Sequence, residues 1–357
     1  MTSRPAVSLI IVSYCTRDLL RECLQSVGRV PDSEVEVIVV DNHSTDGSLA
    51  MLQAEFPHVR VLENSENLGF AKANNQGIRH ARGHYVVLLN SDTVVPPGAL
   101  PAMTAFMEAN PEAGAAACRL VYPDGRIQAS VSRRTGPGIA RLMFRLSGLS
   151  HLVRGNRMRC WVRQYAGFVL GSTLRSYLDP YLPSQAPLEV ETISGTCLLV
   201  RRLAIDEVGL LDPNFFMYLE DLDYCIRLRK AGWKLFYLPQ PEIIHLVGKS
   251  SGGRMRQHSW RAYQSLFYFY GKHYSNWAGW LARLLVLLSF CGRWLWTLVR
   301  AGLSSDPIHS QNRRDIQKII GLCVGGSGSE TLARAARTGD QISNPVGDER
   351  GWGRQLR

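Results

Sequence analysis

The sequence has 357 residues and eight cysteines, but no two of the cysteines form a Cys-x-x-Cys pair. That absence argues against a disulfide framework and against a cysteine zinc site, so we predict reduced, buried thiols in a cytosolic protein. The sequence also has no Gly-x-Gly-x-x-Gly turn and no P-loop lysine signature. Neither a dinucleotide-binding Rossmann site nor a P-loop nucleotide site is therefore indicated.

Long uninterrupted hydrophobic runs are also missing. The apolar run at residues 7–12 is too short for a signal peptide and is typical of a strand. Residues 277–299 are rich in Trp, Leu and Val, but Arg283 and Arg293 interrupt them. A spanning helix needs about 20 apolar residues, and a central arginine costs roughly 2.5–3.5 kcal/mol on insertion. We predict a helix that lies in the membrane interface. The alternative is a helix packed on the catalytic body or on a second subunit.

Acidic residues are absent from residues 126–178, which contain ten arginines. Residues 251–357 carry a net charge of +9, and the whole chain carries +11. This uneven charge predicts a protein that works beside an anionic surface or acceptor, and the alternative is a general surface bias that keeps the protein in solution. After about Ser304 the chain is rich in Gly, Ser and Arg, which predicts a disordered tail over residues 304–357.

The first part of the sequence alternates short β-branched runs with polar stretches of helical spacing. Such alternation predicts an α/β fold with a mostly parallel sheet covered by helices on both faces. Ligands of such sheets bind beyond the carboxyl ends of the strands, so the residues that follow each strand are the candidates for a site. Strands are predicted at 7–14, 35–40, 59–62 and 85–89, and helices at 17–27, 48–56, 71–81 and 99–110.

Polar residues end the first two strands. The first strand ends in Ser13 and Tyr14, and the second is followed by Asp41. A carboxylate at the tip of a strand can accept the N3–H of a pyrimidine base. The alternative for Asp41 is a simple Asx-turn.

The third and fourth strands are also followed by polar residues. Asn67 and Gly69 form a turn before the third helix, and Lys72 and Asn74 lie in its first turns. A helix N-terminus beside amide side chains can bind phosphate or sugar hydroxyls, although this pattern is common by itself. The fourth strand runs into Asn90, Ser91 and Asp92, whose hard oxygen ligands suit Mg²⁺ or Mn²⁺ at a diphosphate, with a capped turn as the alternative.

The stretch FFMYLEDLDYCIR, residues 215–227, places three carboxylates at the start of a helix predicted to run from Glu220 to a stop at Gly232. Asp223 and Arg227 are spaced for an i,i+4 ion pair. Glu220 and Asp221 remain, and one of them is placed to act as a general base. His245 ends a further predicted strand, 241–245, where a histidine is either structural or a ligand of a metal or diphosphate.

Taken in order, these motifs resemble glycosyltransferase family 2, whose members have the GT-A fold. The segments that carry the resemblance are VSLIIVSY, VIVVDNHSTDGS, ENLGFAKANNQG, YVVLLNSD, SGTCLLVRR, GLLDPNFFMYLEDLDYCIRLRKAGW and EIIHLVGKSSG. The resemblance covers residues 7–275 and is greatest to bacterial rhamnosyltransferases and related cell-envelope sugar transferases. It implies a GT-A catalytic domain over 1–275, with 126–178 as an acceptor or membrane insertion, and a separate interfacial helix over 276–303.

The resemblance also implies a role for each candidate residue. Asp221 would be the catalytic base, with Glu220 beside it to orient. Asp92 and His245 would bind a divalent cation, Mg²⁺ or Mn²⁺, and Asp41 would contact the nucleotide base. The other residues expected around the nucleotide sugar are Ser13, Tyr14, Asn67, Gly69, Lys72, Asn74, Asn90 and Ser91.

The implied reaction is metal-dependent transfer of a sugar, with inversion, to a hydroxyl of a lipid-linked or polysaccharide acceptor. The expected donor is dTDP-L-rhamnose, and the expected location is the cytoplasm, at the inner face of the plasma membrane, with no nucleic-acid partner. A transferase of another nucleotide sugar, such as a UDP-sugar, and a non-catalytic sugar-nucleotide-binding scaffold are the alternatives. A nucleotidyltransferase is disfavoured, because no Gly-rich basic loop follows the first strand.

Three positions depart from the family pattern. Asn90 stands in place of the first aspartate of the DXD motif, which leaves Asp92 as the single certain metal ligand of that motif. Cys15 stands where relatives often have asparagine, and Glu191-Thr192 stands where they often have Asp-Trp. The last difference concerns specificity for the acceptor or the sugar and not the class of reaction.

Overall fold

The computed structural model describes residues 5–28, 35–128, 131–132, 185–246, 260–301 and 307–324. Nearly all of the predicted Arg-rich insertion, 126–178, lies outside the described residues, and so does the end of the predicted tail.

The N-terminal half alternates strands and helices as the sequence predicts. Each predicted element between residues 7 and 110 is present, with its ends within one or two residues of the prediction. The elements are β1 (Val7–Ser13), α1 (Arg17–Val27), β2 (Val35–Asp41), α2 (Ser48–Glu55), β3 (Arg60–Glu63), α3 (Phe70–His80), β4 (Tyr85–Asn90), β5 (Thr93–Val94) and α4 (Ala99–Ala109).

The second half completes the sheet and ends in three helices. Its elements are β6 (Ala113–Val121), β7 (Val131–Ser132), β8 (Leu188–Val190), β9 (Thr192–Ile193), β10 (Cys197–Arg201), α5 (Arg202–Val208), α6 (Glu220–Lys230), β11 (Lys234–His245), α7 (Trp260–His273), α8 (Asn276–Ala301) and α9 (Pro307–Val324).

Within the described residues, the main sheet has nine strands: eight follow the order β3-β2-β1-β4-β10-β6-β11-β5, and β8 pairs with β11. Strands β1 to β4, β6 and β11 run in one direction, whereas β5, β8 and β10 run in the other. The predicted α/β class with a mostly parallel mixed sheet is therefore confirmed. Strands β7 and β9 form a separate antiparallel pair.

Alternate residues of the central strands supply two hydrophobic cores, one on each face of the sheet. Leu9 and Ile11 pack with α1, α2 and α4, whereas Ile10 packs with α3, α5 and α6. The second core also receives Phe269 of α7. Because both faces are covered, polar side chains on the central strands are concentrated at the strand ends.

Several parts of the sheet, among them β6 and the first half of β11, were not predicted from the sequence. Strand β6 reads AGAAACRLV and is buried at every position, but alanine has a low intrinsic preference for strands. Strand β11 begins at Lys234 and not at residue 241. Its pairing with β6 shifts register between Leu238 and Glu242, where Pro239 and Pro241 lack the N–H groups of a regular ladder.

The three C-terminal helices pack on one another. Phe267 of α7, Val286 and Phe290 of α8, and Ile316 and Ile319 of α9 form a separate hydrophobic cluster. The predicted disordered tail is therefore wrong for Pro307–Val324, which form a helix with a buried apolar face. Among the described residues, no helix combines the length and the apolarity needed to cross a membrane.

Candidate active site

The carboxyl ends of the parallel strands bring the sequence-predicted polar residues to one edge of the sheet. Ser13 of β1 is in register with Asp41 of β2, and Val12 is in register with Asn90 of β4. Because β11 runs in the same direction as these strands, its last residue, His245, also lies at this edge.

Asp92 and His245 form a close pair, although they lie far apart in the sequence. The Nε2 atom of His245 lies 3.2 Å from Oδ1 of Asp92. Strand β5 sets this distance, because Thr93 pairs with His245 and the N–H of Leu246 donates to the carbonyl of Asp92 at 2.8 Å. Both residues are buried.

The chemistry of this pair fits a hard divalent cation that takes its other ligands from a substrate. In the described ranges, no group of three or more His, Cys, Asp and Glu side chains is placed to hold a metal ion. A site with two protein ligands would therefore depend on diphosphate oxygens and water, which is the usual arrangement for Mg²⁺ at phosphate substrates. The imidazole ligand favours Mn²⁺ over Mg²⁺, because Mg²⁺ prefers oxygen ligands.

Asp221 is joined to the same edge through the turn that precedes β10. The N–H of Gly195 donates to Oδ2 of Asp221 at 2.9 Å, and the N–H of Leu222 donates to Oδ1 at 2.8 Å. The next residue of that turn, Thr196, accepts a hydrogen bond from the N–H of Asn90 at 2.9 Å. The first turn of α6 thus lies on the same side of the sheet as the Asp92–His245 pair.

Burial raises the pKa of both carboxyl groups at the start of α6. It raises the pKa of Asp221, while the hydrogen bonds from Gly195 and Leu222 act against the rise. Burial also raises the pKa of Glu220 well above its usual value, and the charge of Asp221 adds to this rise. Asp221 is half-buried and Glu220 is buried. Of the two, Asp221 is better suited to act as a base, because its pKa is raised less than that of Glu220 and it loses its proton at a lower pH.

The turn before α6 has an unusual backbone. Tyr218 and Leu219 have positive φ angles of 71° and 70°, a conformation that costs a non-glycine residue of order 1–3 kcal/mol. Two contacts hold the turn in place: the N–H of Phe70 donates to the carbonyl of Phe216 at 2.7 Å, and the hydroxyl of Ser265 donates to the carbonyl of Met217 at 2.8 Å. The position of Asp221 therefore depends on both α3 and α7.

The N-terminus of α3 is occupied by this turn and not open to a ligand. A Cβ atom at Gly69 would lie 2.4 Å from the carbonyl oxygen of Phe216. Asn74 is buried and donates to the carbonyl of Phe70 at 2.9 Å, while Lys72 is exposed on the helix surface. Asn67 accepts bonds from the Asn42 side chain and the Gly69 N–H. The predicted roles of Asn67, Gly69, Lys72 and Asn74 in nucleotide-sugar binding stay predictions.

The ends of β1, β2 and β4 are linked by polar contacts. A chain of buried hydroxyl groups runs from Ser13 through Thr16 to Ser91, with both oxygen–oxygen distances at 3.0 Å. Asp41 is fully buried, and its Oδ2 accepts the N–H of Ser44 at 2.9 Å. In the part of the chain that the structure describes, its Oδ1 has no hydrogen-bond partner. Asp41 thus offers a buried acceptor at the edge of the site.

Arg261 is a further candidate, and no pattern in the sequence pointed to it. It belongs to α7, far along the chain, and its guanidinium carbon lies 3.9 Å from the centre of the Phe216 ring. Burial raises the pKa of Tyr14, and the nearby charge of Arg261 acts against that rise. The fold therefore brings a positive charge between the end of β1 and the turn that leads to Asp221.

Asp223 has a structural role, as predicted. It is fully buried, and its Oδ2 accepts from Arg227 at 2.9 Å. Its Oδ1 lies 2.7 Å from both Lys272 and His273 of α7. One carboxylate thus joins helix α6, which carries Asp221, to helix α7.

Comparison with known proteins identifies the family. The profile described as "Glycosyl transferase family 2" matches residues 8–209. The chain is also 31% identical over 281 residues to the N-acetylglucosaminyl-diphospho-decaprenol L-rhamnosyltransferase of Mycobacterium tuberculosis, an alignment that spans 75% of this chain and 85% of that protein. The chain belongs to glycosyltransferase family 2. It is a glycosyltransferase similar to a rhamnosyltransferase, as the sequence motifs predicted.

Two further matches are shorter or more distant. The putative teichuronic acid biosynthesis glycosyltransferase TuaG of Bacillus subtilis is 40% identical over 94 residues, which span 25% of this chain and 36% of that protein. A structure of the mannosyltransferase PcManGT from Pyrobaculum calidifontis, in complex with GDP-Man and Mn²⁺, covers 90% of this chain and 87% of its own, with 18% identity and a TM-score of 0.49. At that level the structural likeness bears on neither ligand nor mechanism.

Proposed function

We propose that the protein transfers a sugar from a nucleotide-sugar donor to an acceptor hydroxyl in a single displacement that inverts the anomeric centre, with Asp221 as the base. The observation that supports this proposal is the Gly195 N–H bond to Asp221, on the side of the sheet where Asp92 and His245 meet. A direct displacement requires a base beside the face of the anomeric carbon opposite the leaving diphosphate, and cation ligands near that diphosphate to offset its charge.

In the proposed reaction, Asp221 takes the proton of the acceptor hydroxyl as the oxygen attacks the anomeric carbon. The bond from that carbon to the diphosphate breaks, and the nucleoside diphosphate leaves with the electron pair. Asp92 and His245 would hold a divalent cation, which when bound offsets negative charge on the leaving diphosphate. Asp41 would accept an N–H of the nucleotide base, and Arg261 would add positive charge near the end of β1.

For the donor we propose dTDP-L-rhamnose, and for the acceptor a sugar linked through a diphosphate to a lipid. The support is the name of the mycobacterial relative, an L-rhamnosyltransferase that acts on N-acetylglucosaminyl-diphospho-decaprenol. An acceptor of this kind lies at a membrane, and the basic charge of residues 251–357 suits an anionic lipid surface.

Helix α8 has a face suited to that surface. Trp277, Trp280 and Leu288 are each more than 60% exposed, while Ala282 and Val286 on the other face are buried against the neighbouring helices. Tryptophan is favoured at the depth of lipid headgroups, where its ring is partly apolar and partly polar. We infer that α8 rests in the interface of an anionic membrane. Its packing against α7 and α9, the predicted alternative, accounts for one face and leaves the other for lipid.

The proposed reaction is tested by incubating the purified protein and Mn²⁺ with a lipid-diphosphate-linked N-acetylglucosamine acceptor and a panel of nucleotide sugars. Release of the nucleoside diphosphate should be greatest with dTDP-L-rhamnose. The Asp221→Asn variant should lose about 10²–10⁴-fold in kcat, because the general base is removed. The control is Asp206→Asn, an exposed carboxylate on α5. Turnover of Asp221→Asn at the wild-type rate would falsify the mechanism. Greater release of another nucleoside diphosphate than dTDP would show that the donor is a different nucleotide sugar.

A further inference from the structure

Gln128 lies just behind the Asp92–His245 pair, and every polar group of its side chain is engaged. The side chain is buried, and its Nε2 donates to the carbonyls of Val121 at 3.0 Å and of His245 at 2.7 Å. The backbone N–H of Gln128 donates to the carbonyl of Leu120 at 2.8 Å. Since both amide hydrogens go to carbonyl oxygens, the orientation of the amide group is fixed.

The fixed amide determines which nitrogen of His245 carries a proton. Its Oε1 lies 2.9 Å from Nδ1 of His245 and can only accept. The Nδ1 atom must therefore be the donor, because an inverted amide would place Oε1 against the two carbonyls of Val121 and His245. In a neutral imidazole the other nitrogen, Nε2, then has a lone pair, and this atom lies 3.2 Å from Oδ1 of Asp92. Two acceptors at this distance are favourable neighbours only when a proton or a cation lies with them.

We propose that Gln128 is a positioning residue that fixes the ring of His245 with its Nε2 lone pair directed at a divalent cation shared with Asp92. This inference rests on the cation in the proposed function. Partners behind a metal-binding histidine commonly fix its tautomer and its ring orientation in this way. Nothing in the sequence around Gln128 indicates the role, which depends on the return of residues 121–128 beside the end of β11.

The first experiment measures the tautomer of His245 without metal and without turnover. Protein with ¹⁵N-labelled histidine is studied by NMR at about pH 9, where an ordinary imidazole is neutral, and the His245 signals are assigned with His245→Ala. The wild type should show the Nδ1–H form. In Gln128→Met the acceptor opposite Nδ1 is lost, so the Nε2–H form should increase, with Asp92 as its acceptor. A wild-type ring in the Nε2–H form, or a Met variant with an unchanged ring, would overturn the proposal.

The second experiment measures Mn²⁺ binding in the presence of dTDP by electron paramagnetic resonance. Gln128→Met should weaken binding by about 10–100-fold, the usual effect of losing such a partner. Gln128→Glu also loses the two amide bonds to carbonyls but keeps an acceptor opposite Nδ1, so its loss should be smaller. The control is Gln76→Met, because Gln76 bonds to Asn64 in a separate amide network. Equal losses in the Met and Glu variants, or in the control, would assign Gln128 a general structural role instead.

The two experiments separate the failure of this inference from the failure of the proposed function. Wild-type protein that binds no Mn²⁺ with dTDP would overturn both the cation and the role of Gln128. Normal Mn²⁺ binding by a folded Gln128→Met variant would overturn the role of Gln128 alone. If the Met variant does not fold, the wild-type tautomer and the Glu variant still decide the question.

Discussion

The backbone N–H of Gly195 donates a 2.9 Å hydrogen bond to Oδ2 of Asp221, which joins the turn before β10 to the first turn of α6. A hydrogen bond of this kind favours the ionised carboxylate, whereas burial favours the protonated acid. The balance raises the pKa of Asp221, and the carboxylate stays bonded to the turn whose Thr196 carbonyl accepts a hydrogen bond from the N–H of Asn90. The proposed base is thus both raised in basicity and fixed in position.

The first prediction concerns the pH dependence of turnover. A base must be deprotonated, so kcat/KM should fall as the pH drops through the raised pKa of Asp221, above its ordinary value of 3.8. The profile is measured with saturating Mn²⁺, so that protonation of the cation ligands does not limit the rate. An acidic limb at 3.8 or below would contradict the prediction, as would an unchanged limb in the residual activity of Asp221→Asn.

The second prediction concerns stability and Glu220. Because its pKa is raised in the folded state, the native protein holds a proton that the unfolded chain releases above about pH 4.5. The free energy of unfolding should therefore decrease as the pH rises from 4.5 toward the folded-state pKa. Glu220→Gln cannot ionise, so its Tm should exceed that of the wild type at about pH 7–8, with a smaller difference at about pH 4. The control is Glu22→Gln on the exposed surface of α1, which should show no such pH dependence.

The third prediction concerns the close approach of α3 to the turn before Asp221. In Gly69→Ala, the new Cβ would displace the carbonyl of Phe216, 2.4 Å away, and with it the start of α6. A displacement of about 1 Å at a catalytic group lowers kcat by about 10²-fold. Gly98→Ala is the control, since Gly98 also has a positive φ, but a Cβ atom there would meet no other described residue within 4 Å. Equal kcat values for two folded variants would argue against the contact.

The fourth prediction concerns the cation. Treatment with a chelator should abolish turnover, and Mn²⁺ should restore it more effectively than Mg²⁺, because an imidazole is one of the ligands. His245→Ala and Asp92→Asn should each weaken Mn²⁺ binding at least as much as the loss of a residue that supports a ligand, which costs roughly 10–100-fold in affinity. His84→Ala removes an exposed histidine and should leave Mn²⁺ binding unchanged. Full activity in the chelator would contradict the proposed cation.

The fifth prediction concerns the exposed face of α8. The wild type should bind vesicles that contain phosphatidylglycerol more tightly than vesicles of phosphatidylcholine, and salt should weaken the binding. Replacing Trp277 and Trp280 by serine should weaken partitioning at least tenfold, since each buried aromatic contributes roughly 1.5–3 kcal/mol. The control is Leu203→Ser on α5, where the leucine is 65% exposed. Equal binding by both variants would exclude a specific role for α8.

Much of the fold could be predicted because local patterns and tertiary packing agree there. Strands β1 and β4 are short, β-branched runs buried on both faces, and the helices between the strands have apolar residues at helical spacing. Strand β6 could not be predicted, since its alanines are buried only because neighbouring strands and helices leave room for small side chains. The start of α6 was predicted correctly because its acids suit the positive end of a helix.

The sequence by itself determined which residues follow or end the strands and which acids open α6, and therefore the identity of Asp41, Asp92, Asp221 and His245 as candidates. Only the tertiary structure decided which of them meet, because sheet order and strand direction bring β4 and β11 to one edge although the chain separates them widely. The same is true of Gln128, and of α3, whose first N–H donates to the carbonyl of Phe216. Hydrogen bonds between distant segments leave no periodic pattern in a sequence, so these contacts became visible only in the folded chain.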